Sequence, residues 1–279
     1  MAIQFPYFSK NGQILPIEEA SMPLSNIEFS YGFGVYENIK VRNGIVYFVK
    51  QHIERLQKSA KVIGLIYPFT ATEIENYLQK LLEKLALTKP DASANIKMLL
   101  IGGREPELFI MALAPLYPDR KLYSQGAKTI TIEYERFLPK AKTLNMLPSY
   151  LNYKKAKEAG CYDALLVSKK RTIIEGTRTN FFTIKGKELF TAPAEEVLEG
   201  VTRQTVIATA QKHGFVVHED AIPVIQIGEY DGCFLTSTSS KIVPIRQIND
   251  HEFAISQPLR ELMKVYDGFL KDSHGVFSS

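Results

Sequence analysis

Ala141–Lys142–Thr143–Leu144–Asn145–Met146 places a lysine in a turn between a β-rich run and a helix. A second stretch, Ile174–Glu175–Gly176–Thr177–Arg178–Thr179–Asn180, sets an acid 33 residues after that lysine, in a turn between two β-rich runs. A single lysine is ordinarily a solvated surface residue. Its reading depends on what the chain arranges around it.

Outward from the lysine, the second half of the chain alternates strands and helices. A strand over 128–135 precedes it, and a helix over Tyr150–Ala159, closed by Gly160, follows. Strands come next at Asp163–Ser168, Arg171–Ile174, Phe181–Ile184 and Leu189–Thr191. A helix over 202–213 begins after Gly200–Val201 and stops at Gly214, a left-handed cap residue. Strand Phe215–Glu219, a short helical piece over 223–228 and strand Gly232–Thr236 lead into Ser237–Thr238–Ser239–Ser240. An amphipathic helix over 257–271 closes the chain.

In the first half, Lys10–Asn11–Gly12–Gln13 and Arg42–Asn43–Gly44–Ile45 carry the Asn-Gly of tight hairpins. The second follows the alternating strand Val35–Val41 and returns through Val46–Val49. Ile53, Leu56, Ala60 and Ile63 have helical spacing, and Thr70–Ala71–Thr72–Glu73 has the form of a capping box. Strands Asn95–Ile101 and Leu108–Ala114 flank a short turn. Leu116–Lys121 is polar, Pro-bearing and unpatterned, as a linker is. The expected organisation is mixed α/β (α+β), with one domain over 1–115, a linker over 116–124 and a second domain over 125–279 carrying Lys142.

Composition narrows the function. At 279 residues, 45% hydrophobic and 23% charged, the chain has the profile of a soluble globular protein. A net charge of +4, spread among acids, argues against nucleic acid as a ligand. Cys161 and Cys233 form no CxxC pair, and the five histidines never cluster, so no metal site and no Ser/His/Asp arrangement is indicated. His52 reads as a packing residue on its helix. No apolar run approaches the roughly 18 residues of a membrane span. The amino terminus lacks the blocks of a signal peptide, so the expected location is cytoplasmic.

Three places suit a phosphate. Gly200–Val201–Thr202 precedes a helix, whose N-terminal amides and dipole favour an anion. Ser237–Thr238–Ser239–Ser240 offers hydroxyls and amides at a strand end. Arg55 offers a charged two-pronged contact. Singly, these are a helix start, a Ser/Thr turn and a surface arginine. Joined to Lys142 and Glu175 they acquire one logic: an amine for an aldehyde, a carboxylate for a pyridine nitrogen and a cup for a phosphate. Pyridoxal 5′-phosphate requires those three things.

The chain resembles the fold-type IV pyridoxal-phosphate enzymes, which comprise branched-chain aminotransferases, D-amino-acid aminotransferases and 4-amino-4-deoxychorismate lyases. The resemblance spans nearly the whole chain. It rests on Gly34–Val35–Tyr36–Glu37, His52–Ile53–Glu54–Arg55–Leu56, Lys142–Thr143–Leu144–Asn145, Glu175 to Phe182, Gly200–Val201–Thr202–Arg203 and Thr236 to Pro244. It implies a two-domain fold with the active site between the domains, and a homodimer whose neighbouring subunit completes the site. Lys142 would be the Schiff-base lysine and Glu175 the pyridine-nitrogen partner. Arg55, Val201, Thr202, Ser237 and Thr238 would hold the phosphate. Ser239 would donate to the substrate carboxylate and Tyr36 would line the substrate pocket.

The substrate half departs from each subfamily. D-amino-acid aminotransferases mount an Arg-x-His on a long hairpin that is here only Arg104–Glu105–Pro106–Glu107. The branched-chain Tyr-Ile-Arg reads Asn95–Ile96–Lys97, and Met146 stands where those enzymes carry a tyrosine. The lyase pattern meets Tyr36–Glu37–Asn38. Arg178 replaces a small residue, and with Lys97 and Arg104 it is a candidate for the substrate carboxylate. The leading reading is an aminotransferase acting on an amino acid and a 2-oxo acid. The alternatives are pyruvate elimination from aminodeoxychorismate and a D-amino-acid aminotransferase. A scaffold without catalysis would lack the lysine or the glutamate, and both are present.

Overall fold

The computed structural model describes residues 5–272 of the chain. Residues 1–4, within the stretch read as lacking a signal peptide, and residues 273–279, at the end of the second expected domain, lie outside the described residues. Contacts divide the chain into two units. One comprises residues 5–116 with Ala141–Asn145, and the other Tyr117–Lys140 with residues 146–272.

The first unit contains β1 (Tyr7–Lys10), β2 (Gln13–Pro16), α1 (Ile27–Ser30), β3 (Gly34–Arg42), β4 (Ile45–Val46), α2 (Val49–Val62), α3 (Ala71–Lys84), β5 (Ser93–Ile101) and β6 (Glu107–Leu113). Its strands form one antiparallel sheet in the order β2-β1-β6-β5-β3-β4. Asn11–Gly12 and Asn43–Gly44 make the expected hairpin turns, each pair with positive φ (49° and 86°, 53° and 75°). That backbone matches the twist of the strands it joins. The return strand is shorter than its sequence suggests, because Phe48 turns left-handed (φ 57°) and Val49 already starts a helix. Thr70 and Glu73 close both bonds of the capping box at α3. Val49, Ile53, Leu56 and Ala60 of α2 and Ile74, Leu78, Leu81 and Leu82 of α3 bury against Val35, Ile39, Ile96, Met98 and Ile110 of the sheet. Each of the larger aliphatic side chains among these contributes about 1.5–3 kcal/mol by leaving water.

The second unit contains α4 (Lys121–Gln125), β7 (Ala127–Glu133), α5 (Leu147–Glu158), β8 (Asp163–Val167), β9 (Thr172–Gly176), β10 (Asn180–Lys185), β11 (Glu188–Thr191), α6 (Val201–Lys212), β12 (Val216–Glu219), β13 (Ile222–Pro223), β14 (Gly232–Ser237), β15 (Lys241–Ile248), β16 (His251–Glu252) and α7 (Gln257–Asp272). The strand order is β12-β11-β10-β14-β15-β7-β8-β9-β13, and β9 also pairs with β10. That extra pairing, Asn180 opposite Glu175, closes β10, β14, β15, β7, β8 and β9 into a ring. Phe181 and Phe182 point to opposite sides of β10. Phe182 stacks on Phe234 at 4.9 Å beneath α6 and α7, while Phe181 packs with Leu235 and Ile245.

β15 is not among the expected strands, and it contains Pro244, a residue that disfavours a central strand. Here Pro244 pairs with Phe234 on one side, and the parallel partner β7 begins only at Ile245. Proline therefore stands where one neighbour is missing. Among the described residues, no helix is long and apolar enough to cross a membrane.

Candidate active site

In the first unit, Ala141–Asn145 lies along β3 like a short added strand. Tyr36 N–H donates to the Lys142 carbonyl at 2.9 Å, and Leu144 N–H donates to the Gly34 carbonyl at 2.9 Å. Lys142 N–H donates to Ser59 Oγ at 3.1 Å, and Ser59 is buried on α2. Gly34 permits this docking, since a Cβ there would meet Leu100 O and Leu144 Cδ1, each at 2.7 Å. Lys142 is half-buried, and its Nζ lies 4.5 Å from the centre of the Tyr36 ring. The structure thus brings the lysine and the expected pocket tyrosine together.

Arg55 belongs to a buried charge cluster that joins α2 to β3. Its Nε and Nη2 donate to the two Glu37 oxygens at 2.6 and 2.7 Å, and His52 Nδ1 donates to Glu37 Oε2 at 2.7 Å. Glu37 and His52 are fully buried. Burial works against the Glu37 charge, but the Arg55 guanidinium and then His52 outweigh it and hold the carboxyl well below its usual range. Burial keeps His52 below its ordinary value despite Glu37, with Arg55 and Lys142 pushing the same way. A neutral imidazole with its proton on Nδ1 fits the Glu37 contact, while its buried Nε2 has no hydrogen-bond partner. The expectation of His52 as a packing residue misses its charged partner. The signal was present in the i,i+3 spacing of His52 and Arg55 on one helix face.

In the second unit, Glu175 is 3% exposed at the end of β9. Its Oε1 accepts from Arg136 Nε, a residue just beyond β7. The same guanidinium donates through Nη1 to Ser149 Oγ at 2.7 Å, and through Nη2 to Gly176 O and Thr177 O at 3.3 and 2.7 Å. From below, Asp163 accepts from the Thr177 hydroxyl and, at 3.0 Å, from the Thr179 hydroxyl. Gly176 is obligatory here, because a Cβ would lie 2.1 Å from Thr179 Oγ1 and 2.8 Å from Asp163 Oδ2. Arg178 turns outward, and its guanidinium lies 3.6 Å above the Tyr153 ring.

Asn180 ties three of the expected elements together. Its Nδ2 donates to Leu198 O at 2.8 Å and stands 3.4 Å from Glu175 Oε2, and its backbone is opposite Thr236 on β14. Leu198 leads to Gly200, which precedes α6 with no side chain capping its first turn. A Cβ on Gly200 would lie 2.1 Å from Asn180 Oδ1. Val201 and Thr202 are buried in that first turn. Beyond Thr236, Ser237 Oγ bonds Ser240 Oγ at 2.6 Å and lies 3.3 Å from Ser239 Oγ, and Tyr123 O–H donates to Ser240 O at 3.0 Å. Ser237, Thr238 and Ser239 are half-buried. The Thr236 hydroxyl is buried without a hydrogen-bond partner.

The units therefore divide the sequence-predicted set. Lys142, Tyr36 and Arg55 lie in the first, and Glu175, Arg178, Val201, Thr202, Ser237, Thr238 and Ser239 in the second. Arg136, Asn180, Asp163, Glu37 and His52 join them from the structure. No group of three or more His, Cys, Asp or Glu side chains suits a metal ion among the described residues.

The sequence profile described as "Amino-transferase class IV" matches residues 34–248. A "Probable branched-chain-amino-acid aminotransferase" of Rickettsia bellii is 31% identical over 275 residues, covering 89% of this chain and 92% of that protein. A D-alanine aminotransferase of Bacillus licheniformis is 28% identical over 257 residues, covering 89% and 90%. The crystal structure of a branched-chain amino acid aminotransferase from T.th., complexed with N-(5′-phosphopyridoxyl)-L-glutamate, superposes with a TM-score of 0.85. It is 25% identical and covers 95% of this chain and 94% of that one.

Proposed function

The chain belongs to the class IV aminotransferases, enzymes that depend on pyridoxal 5′-phosphate, and from that premise we propose that it moves an amino group between an L-amino acid of the branched-chain type and a 2-oxo acid. The residues present fit the cofactor. Glu175 is a buried carboxylate, as a pyridinium needs, and the first turn of α6 has no side-chain cap. The orphaned, buried Thr236 hydroxyl lies one residue before Ser237. When bound, the cofactor supplies an electron sink for the electrons left when the substrate's α proton departs.

The chain's own groups do the rest. Lys142 Nζ would hold the aldehyde until a substrate amine displaces it, and the freed amine could then take the α proton and later return one, which is general base and acid work by a single amine. Two hydrogen bonds of its own backbone, with that of Leu144 two residues on, hold its segment while its side chain packs on Tyr36. Glu175 pairs with the ring nitrogen. Val201, Thr202, Ser237 and Thr238 hold the phosphate through amides and hydroxyls, with Arg55 adding charge. The fork from Glu37 fixes the plane of that guanidinium. Ser239 donates to the substrate carboxylate, and Tyr36 walls the side-chain pocket.

The observation that carries the reading is Lys142 docked on β3 beside Tyr36 in a chain whose family is shown. Substrate handedness is inferred from the branched-chain relative and from the β5–β6 connection. That connection spans only Gly102 to Pro106 and contains no histidine. The D-alanine aminotransferase relative supports the opposite handedness. Mixing cofactor-loaded enzyme with L-leucine, L-isoleucine, L-valine, D-alanine and D-glutamate separately, and following the cofactor absorbance, decides between them. Conversion to the amine form by the L-amino acids is expected. Conversion by D-alanine alone would reverse the handedness, and pyruvate release from aminodeoxychorismate without that conversion would mark a lyase.

A further inference from the structure

Arg136 has no place in the motifs that identify this chain, yet four of its polar contacts gather around Glu175. One goes to the Glu175 carboxylate and three to the neutral oxygens of Ser149, Gly176 and Thr177. Its positive charge is therefore directed at a single carboxylate among these partners. The side chain is 23% exposed and that of Glu175 4%, so water screens the pair weakly on the carboxylate side. The three neutral contacts fix the guanidinium plane, and through it the position of Oε1.

We propose that Arg136 is a positioning residue that keeps the proton on the cofactor's ring nitrogen rather than on Glu175. This rests on the reading of Glu175 as the ring-nitrogen partner. A carboxyl and a pyridine nitrogen sharing one proton have two forms, a neutral pair with O–H facing N and an ionic pair with N⁺–H facing O⁻. In a buried site the neutral pair gains, because charge separation is costly there. A guanidinium on the same carboxylate stabilises O⁻ directly and meets the ring charge only from farther off. The proton thus leaves the Glu175 oxygen for the nitrogen, and the ring becomes the better electron sink. Atoms and charge balance within the pair, with no other reactant.

The test reads that proton itself. Wild-type, E175Q, R136Q and R136K enzymes are loaded with pyridoxal 5′-phosphate labelled with ¹⁵N in the ring, and the ring nitrogen is observed by NMR without substrate. The wild type is expected in the pyridinium region and E175Q in the neutral pyridine region. R136Q should move most of the way towards E175Q, with R136K between R136Q and wild type, since an ammonium keeps the charge but not the fork. Cofactor affinity should fall about tenfold in R136Q, because the contact between Glu175 and the ring nitrogen changes from charge-assisted to neutral. If E175Q shifts and R136Q stays at the wild-type position, the role of Arg136 is overturned while that of Glu175 stands. An unshifted E175Q removes the Glu175 reading and this proposal with it. Should R136Q not fold, R136M, which keeps the side-chain length without the charge, decides, and a wild-type signal from it overturns the proposal.

Discussion

The Lys142 backbone is anchored through both its carbonyl and its N–H, and its amine is presented over Tyr36. Lys142→Ala keeps every one of those backbone bonds and removes only the amine. It should yield folded protein that gives no borohydride-reducible adduct with the cofactor. The α-proton transfer rate should fall at least 10²–10⁴-fold, the usual worth of a positioned general base. An adduct that survives reduction and maps to another lysine would refute the assignment. At this scale Lys142 and Glu175 could be nominated from the sequence because each sits inside a short local motif. Arg136 was not, since it meets Glu175 across 39 residues and only through the neighbouring strands β7, β8 and β9. Nothing local to Glu135–Arg136–Phe137 announces a partner.

Between elements, α2 is locked to β3 by the fork of Arg55 on Glu37 and by His52. Both titrating groups work in one direction with pH. The Glu37 carboxyl is held low in the folded chain, so its stabilisation is present above the ordinary carboxylate value and is lost as pH falls towards the folded one. His52 is held below its ordinary value near 6.5, so below that pH the unfolded chain takes up a proton that the folded chain resists. Stability of the first unit should therefore decline from about pH 6.5 downward and more steeply below about pH 4.5. Glu37→Gln should cost about 3–5 kcal/mol at pH 7, the usual result of removing the charge of one partner from a buried ion pair. It should also flatten the lower part of the profile. Chemical denaturation across pH would measure both, and an unchanged acid limb in Glu37→Gln would contradict the account. The hairpins and the capping box that frame these elements were readable because Asn-Gly and Thr-x-x-Glu act within four residues. β15 was not, because what makes Pro244 acceptable there is the start of β7, more than a hundred residues earlier.

For the molecule as a whole, the course of the chain matters more than the linker near residue 116. The sequence suggests that the lysine travels with the strands and helices on either side of it. Ala141–Asn145 instead hydrogen-bonds to β3 and α2, while Tyr117–Lys140 and the residues from Met146 onward belong to the other unit. An amide opens to solvent with the cooperative element whose bonds it shares, not with its sequence neighbours. Leu144 N–H, bonded to Gly34 O, should therefore exchange hydrogen at the pace of Tyr36 N–H in β3, and Lys142 N–H at the pace of Ser59 in α2. Amides of α5, which begins at Leu147, should follow the second unit instead. Glu37→Gln, which weakens the first unit alone, should then accelerate exchange in 34–42 and 141–145 together and leave 150–158 unchanged. Native-state hydrogen exchange with residue-level resolution can follow all three segments in one experiment. If 141–145 instead keeps pace with α5 in both proteins, the lysine segment belongs energetically to its sequence neighbours, and its docking on β3 is not what holds it.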